Sequence, residues 1–443
     1  MTNDRYKNDI GAVVISSGDS PGAFDIVRSL GREGISAVVA SSHSDDIAYH
    51  SRYCSGKILL LPFSPDTEEE NLGRLIGFAR NLPEPPVLYY ASDPELSFVC
   101  RHRDMLCRWY KFLLPADFVL ECLFNKVLFS SFAAAYRLPV PATVVAHDVS
   151  ELPQLLSSVD FPCIVKPAFS EDWQWDTYEQ WERFGPYKKA LHRMTSADEL
   201  MDFCTALPKR QSGFLIQSYI DGRDESIYSF HGYFDEQSNC WGYFVGRKIR
   251  TYPPHTGGST FIQTCHHPTL AELSVKYLQR IRFQGIVKID YKWDQHDNEF
   301  KILEINPRYN LWEVLGAYAG VNLVSIAYRH QRGMTSLPQP KYRENIRLLY
   351  FKQDIRSFFE GYFQMKEWSL TRYVRSLCQK NHFRVLDVWD IMPFVFSLLN
   401  FLKRNIARTL FFTESPSPVR SKERTETKIA KTQTAGVYDE VLH

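Results

Sequence analysis

The sequence predicts two kinds of sheet in one chain: a doubly wound α/β unit at the N-terminus and a larger α+β unit after it. Three observations lead there. The chain opens strand–helix–strand, with "GAVVIS", then "GDSPGAFDIVRSLGREG", then "SAVVAS", an order that implies parallel strands. Its middle carries runs such as "ESIYSFHGYF" and "CWGYFVGRKIR", joined by turns short enough for antiparallel pairing. With 443 residues and 44% hydrophobic composition, it is long enough for two to three domains.

Taken in order, Gly11–Ser16 reads as a short buried strand and Ser36–Ser41 as the next. "KILLLP" and "PVLYYAS" add two more, with a helix around Asn71–Arg80 between them. This first unit is expected over residues 1–120. The turn "SSGDSPG" lacks the G-x-G-x-x-G pattern of a dinucleotide site, and no acidic residue closes the second strand. It reads as a strand-to-helix turn of small residues, although the helix N-terminus suits a substrate carboxylate.

A second unit begins at "NKVLFSSFAAAYRLPVPATVVA", a helix and then a strand. "FPCIVKPA" is a strand ending in Lys-Pro, and a long polar-aromatic loop follows. "YKKALHRM" reads as a strand and "SADELMDFCTAL" as a helix capped by Ser196. "GFLIQSYI" is another strand, a helix is expected from about Leu270 to Arg282, and "GIVKIDYKW" and "FKILEIN" close the unit. This unit spans 121–335, with a helical extension over 336–412. The polar tail 413–443 is expected to be disordered.

Bulk chemistry removes several function classes. Lys plus Arg is 52 against Asp plus Glu at 51, so no net field points to nucleic acid. The nine cysteines form no CxxC pair, which argues against a zinc ribbon or disulfide framework and for a reducing, cytoplasmic setting. The N-terminus shows no signal segment. "IMPFVFSLLNFL", Ile391–Leu402, falls short of the ~18 apolar residues of a spanning helix and reads as a core or interfacial helix.

The strand "FKILEINPRYNLW" ends in charge. By simple alternation, Phe300, Ile302, Glu304 and Asn306 share one side, and Lys301, Leu303 and Ile305 the other. "GIVKIDYKW" precedes it with "DQHDNE" between, the spacing of a hairpin. A five-residue loop makes Asp294 face Phe300, which sets Asp290 opposite Glu304 and Lys288 opposite Asn306. Two carboxylates about 5 Å apart repel unless a cation sits between them. Mg²⁺ suits such hard oxygens, and Asn306 adds a third. Arg308, at the strand's end, is placed to meet an anion.

These residues resemble the metal-binding strands of the ATP-grasp superfamily, in which an acid on one strand and a Glu-x-Asn on the next hold Mg²⁺ against ATP. Other motifs stand in that family's order over about residues 120–312. "NKVLF" resembles the segment whose lysine, here Lys126, reaches ATP phosphate, and "CIVKPA" the strand whose Lys166 bridges the α- and β-phosphates. "LIQSYI" resembles the adenine hinge, through Gln217, the backbone of Ser218 and Tyr219, and the side chain of Ile220. The resemblance assigns a ribose contact to Glu225 and the floor under adenine to Leu303.

It therefore implies a pre-ATP-grasp domain followed by a two-lobed ATP-grasp fold (small lobe about 121–215, large lobe about 216–335), with ATP and Mg²⁺ (or Mn²⁺) as cofactors. The segment after Lys-Pro departs from the family. "FSEDWQWDTYEQWERFGPYKKA" holds one glycine and three tryptophans, so a glycine nest over the phosphates is not evident. Lys188 or Lys189 is the substitute charge.

Lys248 and Arg250 on one strand face, with Arg308, are expected to hold the acid or its acyl phosphate. The chain as a whole resembles bacterial carboxylate–amine ligases of the D-aspartate-ligase and carbamoyl-phosphate-synthase type, some tied to surface polysaccharide. Small-molecule carboxylate and amine partners follow, in surface polysaccharide or amino-acid conjugate synthesis. The rival expectations are a small-molecule kinase and a non-catalytic ATP-binding module of a membrane-linked assembly, with peripheral membrane contact through the C-terminal helices.

Overall fold

Four parallel strands form the first sheet: β1 (Ala12–Ser16), β2 (Ala37–Ser41), β3 (Cys54–Leu59) and β4 (Val87–Tyr89), in the order β3-β2-β1-β4. The computed structural model describes residues 10–18, 21–169, 193–207, 213–335 and 340–411, with side chains to 403. Residues 1–393 form one compact unit and 394–443 a second. Lys188, Lys189, most of the tryptophan-rich loop and the tail 413–443 lie outside the described residues.

β1, β2 and β4 are wholly buried, as parallel strands covered on both faces must be. The strand order reverses between β1 and β4, the place where open α/β sheets hold ligands. In this chain the nearby amides already have an anion of their own. The buried carboxylate of Glu95 accepts from the amides of Ser17 (2.7 Å), Ala91 (2.5 Å) and Ser92 (3.0 Å). The same Glu95 completes a capping box with Ser92 at the start of the helix Asp93–Arg101. An internal acid thus takes the Ser17 amide at the start of the turn.

A small antiparallel sheet follows, ordered β5-β7-β6: β5 (Thr143–Ala146), β6 (Cys163–Pro167) and β7 (Phe214–Ser218). The helix Ala197–Thr205 covers it, capped by Ser196 as its sequence predicts.

The large sheet has seven strands. They are β8 (Ile227–Phe234), β9 (Cys240–Tyr252), β10 (Gly258–Thr264), β11 (Gly285–Asp294), β12 (Glu299–Asn306), β13 (Arg347–Leu349) and β14 (His382–Phe383), in the order β12-β11-β8-β9-β10-β13-β14. The 336–412 segment is therefore not purely helical, since it adds two edge strands to the sheet. At three and two residues these are too short to show period-two patterning.

One face of the large sheet carries Phe230, Val245, Val287, Ile289 and Tyr291 and packs on the helices Pro268–Arg280 and Lys126–Ala135. β11 starts at Gly285, whose φ is +84° and whose Cβ position lies 2.5 Å from the Leu113 carbonyl oxygen. Only glycine lets this strand begin so close to the N-terminal unit.

Buried ion pairs tie the C-terminal segment to the first helix, Gly22–Gly31. Arg384 grips Asp25 at 2.7–3.0 Å, and Arg28 meets Asp390 at 3.1 Å.

Candidate active site

The hairpin β11–β12 sets Asp290 opposite Glu304 and Lys288 opposite Asn306, as expected, but by a different route. Asp294 pairs with Glu299, not Phe300, so the turn is one residue tighter, with Asn298 in the left-handed region (φ 51°). A bulge then restores the register. Tyr291 faces Ile302 while Asp290 faces Glu304, which leaves Leu303 as the extra residue on β12.

The bulge also overturns the simple alternation. Phe300, Ile302 and Ile305 all enter the core, so Glu304 and Asn306 are freed from the apolar face. One inserted residue is what lets an apolar strand end in a carboxylate. Leu303 itself is half-buried and stands outside that core.

Asp290 is almost fully buried and well held. Its carboxylate accepts from the Ser229 hydroxyl on β8 and from Lys288 Nζ at 2.7 Å, with Lys248 Nζ at 3.5 Å. Burial by itself would raise its pKa. The ammonium groups of Lys248 and Lys288 reverse this and hold it below the ordinary aspartate range, against the repulsion of Glu304.

The two lysines respond differently. Burial lowers Lys288, and the like charge of Lys248 adds to that despite Asp290. Lys248 suffers the same burial but is raised by Asp290, Glu304 and Asp224 together. Glu304 Oε1 accepts from Asn306 Nδ2 at 3.0 Å, which leaves the amide oxygen of Asn306 for another partner.

This donor set fits Mg²⁺. Two carboxylates and an amide oxygen are hard donors. Among the described residues no group of three His, Cys, Asp or Glu side chains could enclose an ion by itself. Mg²⁺ is characteristically held in that way, by one or two carboxylates, with substrate phosphates and water filling the remaining positions.

The predicted nucleotide residues also converge. Lys166 Nζ donates to Gln217 Oε1 at 2.6 Å, and Gln217 Nε2 to Thr143 Oγ1 at 3.0 Å. The Lys126 amide donates to the Ala168 carbonyl at 2.9 Å, so the two lysine-bearing segments meet. Asn125 caps Lys126's helix through the amides of Val127 and Leu128.

At the hinge, the amides of Ser218 and Tyr219 are committed to the carbonyls of Ala142 (2.9 Å) and Pro162 (2.8 Å), so these two N–H groups are not offered to a base. Ile220 is buried. Glu225 pairs with Arg372 of the C-terminal extension at 2.8 Å.

Arg308 lies at the rim of the first sheet. It binds Asp93 and reaches the Ala91 carbonyl at 3.4 Å, beside the reversal between β1 and β4. Arg250 is elsewhere. It has no exposed side chain, grips Asp354 at 2.7 and 2.8 Å, and lies among the rings of Phe261, Trp368 and Tyr373. A guanidinium so enclosed cannot meet a substrate, and its assignment to the site is withdrawn.

Sequence reading missed Ser229, Lys288 as a partner of Asp290, and Lys292. Lys292 Nζ lies 5.2 Å from the centroid of the hinge Tyr219 ring and so links the carboxylate strand to the small sheet. The signal was present: Lys288, Asp290 and Lys292 recur every second residue on an otherwise apolar strand.

Three comparisons bear on this geometry. A family model described as "ATP-grasp in the biosynthetic pathway with Ter operon" matches residues 213–353. The chain covers 76% of itself and 74% of biotin carboxylase from Campylobacter jejuni, at TM-score 0.58 and 14% identity. It covers 75% of itself and 75% of the L-amino acid ligase from Bacillus licheniformis, at TM-score 0.53 and 15% identity.

Over residues 213–353 the chain is similar to the ATP-grasp family.

Among curated relatives, the D-aspartate ligase of Enterococcus faecium is 24% identical over 249 residues, 54% of this chain and 56% of that protein. The chain thus spans about half the length of that relative. The matched segment 213–353 runs from the hinge strand through the carboxylate hairpin, so the ATP-grasp likeness rests on the strands that carry Gln217, Asp290, Glu304 and Asn306.

A second buried acid lies on the sheet face that carries Asp290. Glu313 Oε1 accepts from Asn310 at 2.9 Å, and the same amide lies 3.3 Å from His231, which is stacked between Phe244 and Trp312. Burial pushes the Glu313 carboxyl up to about 8. The folded chain therefore binds a proton here that the unfolded chain has released from about pH 4.5 upward, so this group's contribution to stability falls as pH rises to about 8. Glu313→Gln should remove that fall. Urea unfolding at pH 5 and pH 8.5 should show the variant gaining about 4 kcal/mol on the wild type at the higher pH.

Proposed function

We propose that the chain is an ATP- and Mg²⁺-dependent ligase that joins a carboxylate to an amine through an acyl phosphate. The observation that carries this is the facing pair Asp290 and Glu304, with Asn306 beside them and Arg308 two residues further on. The hairpin β11–β12 thus supplies the three metal donors, and two residues beyond β12 the Arg308 guanidinium, held by Asp93, stands at the rim of the first sheet. The names of the D-aspartate ligase and the L-amino acid ligase support the same substrate class.

Asp290, Glu304 and Asn306 would hold Mg²⁺, which when bound neutralises phosphate charge. Lys126 and Lys166 would hold the ATP phosphates as point charges, and Lys248 and Lys288, both at Asp290, would add positive charge beside the metal donors. Gln217, Ile220 and Leu303 would frame the adenine, and Glu225 the ribose once Arg372 yields it. Arg308 would orient the acid.

A carboxylate oxygen of the acid attacks the γ-phosphorus, the bond to the bridging oxygen breaks, and ADP leaves. The amine then attacks the acyl carbon, sheds a proton, and phosphate leaves. Catalysis comes from positioning and charge neutralisation. We place the product in surface polysaccharide or amino-acid conjugate synthesis.

An ADP-release screen over amino acids and sugar acids, each with and without an amine, tests the reading. Phosphate release that needs both acid and amine is the expected result. A phosphorylated product formed without coupling would make the chain a kinase. Within the active pair, Arg308→Ala should raise the KM for the acid about 10–100-fold while leaving the KM for ATP nearly unchanged, the loss expected for one charged hydrogen-bond donor.

A further inference from the structure

The stretch Asp387–Met392, "DVWDIM", is turned inside out. Its acids point inward: Asp390 is 1% and Asp387 7% exposed. Asp390 accepts from Arg28, from the Ser51 hydroxyl at 2.8 Å and from the Arg52 amide at 2.9 Å. Asp387 takes Arg32 and the Tyr318 hydroxyl. The apolar residues point outward, with Val388 82% and Trp389 68% exposed and Ile391 and Met392 also exposed.

A loose turn would bury its apolar side chains and wet its acids. Here the buried pair Arg28–Asp390 and the partly exposed pair Arg32–Asp387 hold the acids in, so the outward display of Val388 and Trp389 is enforced by the fold. Enforced apolar exposure marks a surface that is covered in use.

The chemistry around it says by what. From Ile391 to Thr413 the sequence has no Asp or Glu but carries Lys403, Arg404 and Arg408. The helix Met392–Phe411 runs through this stretch and exposes Leu398, Leu399, Phe401 and Leu402. No single helix among the described residues is long and apolar enough to cross a membrane. Short apolar segments with a cationic end and a tryptophan at the margin suit the interface of a bilayer, where the indole sits at headgroup level and the cations meet lipid phosphate.

We propose that the segment from Val388 to Arg408 docks on the surface of an anionic phospholipid bilayer. Val388, Trp389 and the exposed Leu398, Leu399, Phe401 and Leu402 enter the headgroup region, and Lys403 begins the run of positive charge, continued in the sequence by Arg404 and Arg408, that supplies the electrostatic attraction. A second copy docking through this same face would bring like cations together, which disfavours a dimer relative to an anionic bilayer.

Co-sedimentation of the full chain with vesicles tests this. Binding is expected to vesicles of roughly 3:1 phosphatidylcholine to phosphatidylglycerol and not to phosphatidylcholine alone, and to weaken about tenfold in about 0.5 M salt. Val388→Ser/Trp389→Ser should lose about tenfold or more of that binding, with its circular dichroism and ATP turnover unchanged. Lys403→Glu/Arg404→Glu should remove the preference for the anionic lipid. Binding that is absent, indifferent to lipid charge, or unchanged in Val388→Ser/Trp389→Ser would overturn the proposal. So would sedimentation velocity showing a dimer that this variant dissolves without any vesicle binding, since that assigns the face to a second copy.

Discussion

Glu304→Gln is expected to lower Mg²⁺-dependent ATP turnover about 10²–10³-fold, the scale on which removing one electrostatic stabiliser acts. The fold should survive. Glu304 is half-buried beside Asp290, which the ammonium groups of Lys248 and Lys288 hold below the usual aspartate range. Removing the neighbouring negative charge relieves repulsion on Asp290 and leaves the core residues Phe300, Ile302 and Ile305 untouched. Asp290→Asn should be as damaging to turnover but less benign for stability. It leaves two buried ammonium groups, at 2.7 and 3.5 Å, without their carboxylate. A single-turnover assay with circular dichroism separates the two variants.

Arg250→Met is expected to cost roughly 3–5 kcal/mol of stability, because it strands the Asp354 carboxylate in a site where both partners are wholly buried. Thr260 Oγ1 donates to the same carboxylate at 2.9 Å and cannot replace a bidentate cation. The double variant Arg250→Met/Asp354→Leu should recover most of the loss, since exchanging a whole buried pair for apolar groups is often near neutral. A urea midpoint for each protein checks this. Turnover per folded molecule should match the wild type in the double variant, which a substrate-binding role for Arg250 would forbid.

The contrast between Lys248 and Arg250 shows what sequence patterning can and cannot resolve. Two cations at alternate positions of one strand look alike in sequence. Only the fold reveals that Lys248 lies beside Asp290 while Arg250 answers an aspartate 104 residues later. The strands of the first sheet were legible as short continuous apolar runs bounded by turn residues, and the facing of Asp290 and Glu304 because it rests on one hairpin with a short turn.

The bulge at Leu303 was not legible. A single inserted residue leaves no trace in composition, and it compensated for a turn one residue shorter than expected. The lysine pair on Asp290 was half-visible. Lys288 stands two positions away on the same strand, while Lys248 arrives from two strands across the sheet, beyond β8. The buried Glu95 takes the Ser17 amide at the end of β1 together with those of Ala91 and Ser92. That capture is a tertiary contact across 78 residues.

On the proposed function, Asp290, Glu304 and Asn306 form a divalent-metal site shared with nucleotide phosphate. Electron paramagnetic resonance of Mn²⁺ titrated into the protein, with and without a non-hydrolysable ATP analogue, tests it most directly. Tight Mn²⁺ binding is predicted only when the nucleotide is present, because three protein oxygens alone hold the ion weakly, and Glu304→Gln should abolish it. Equal Mn²⁺ binding by wild type and Glu304→Gln in the presence of the analogue would contradict the account.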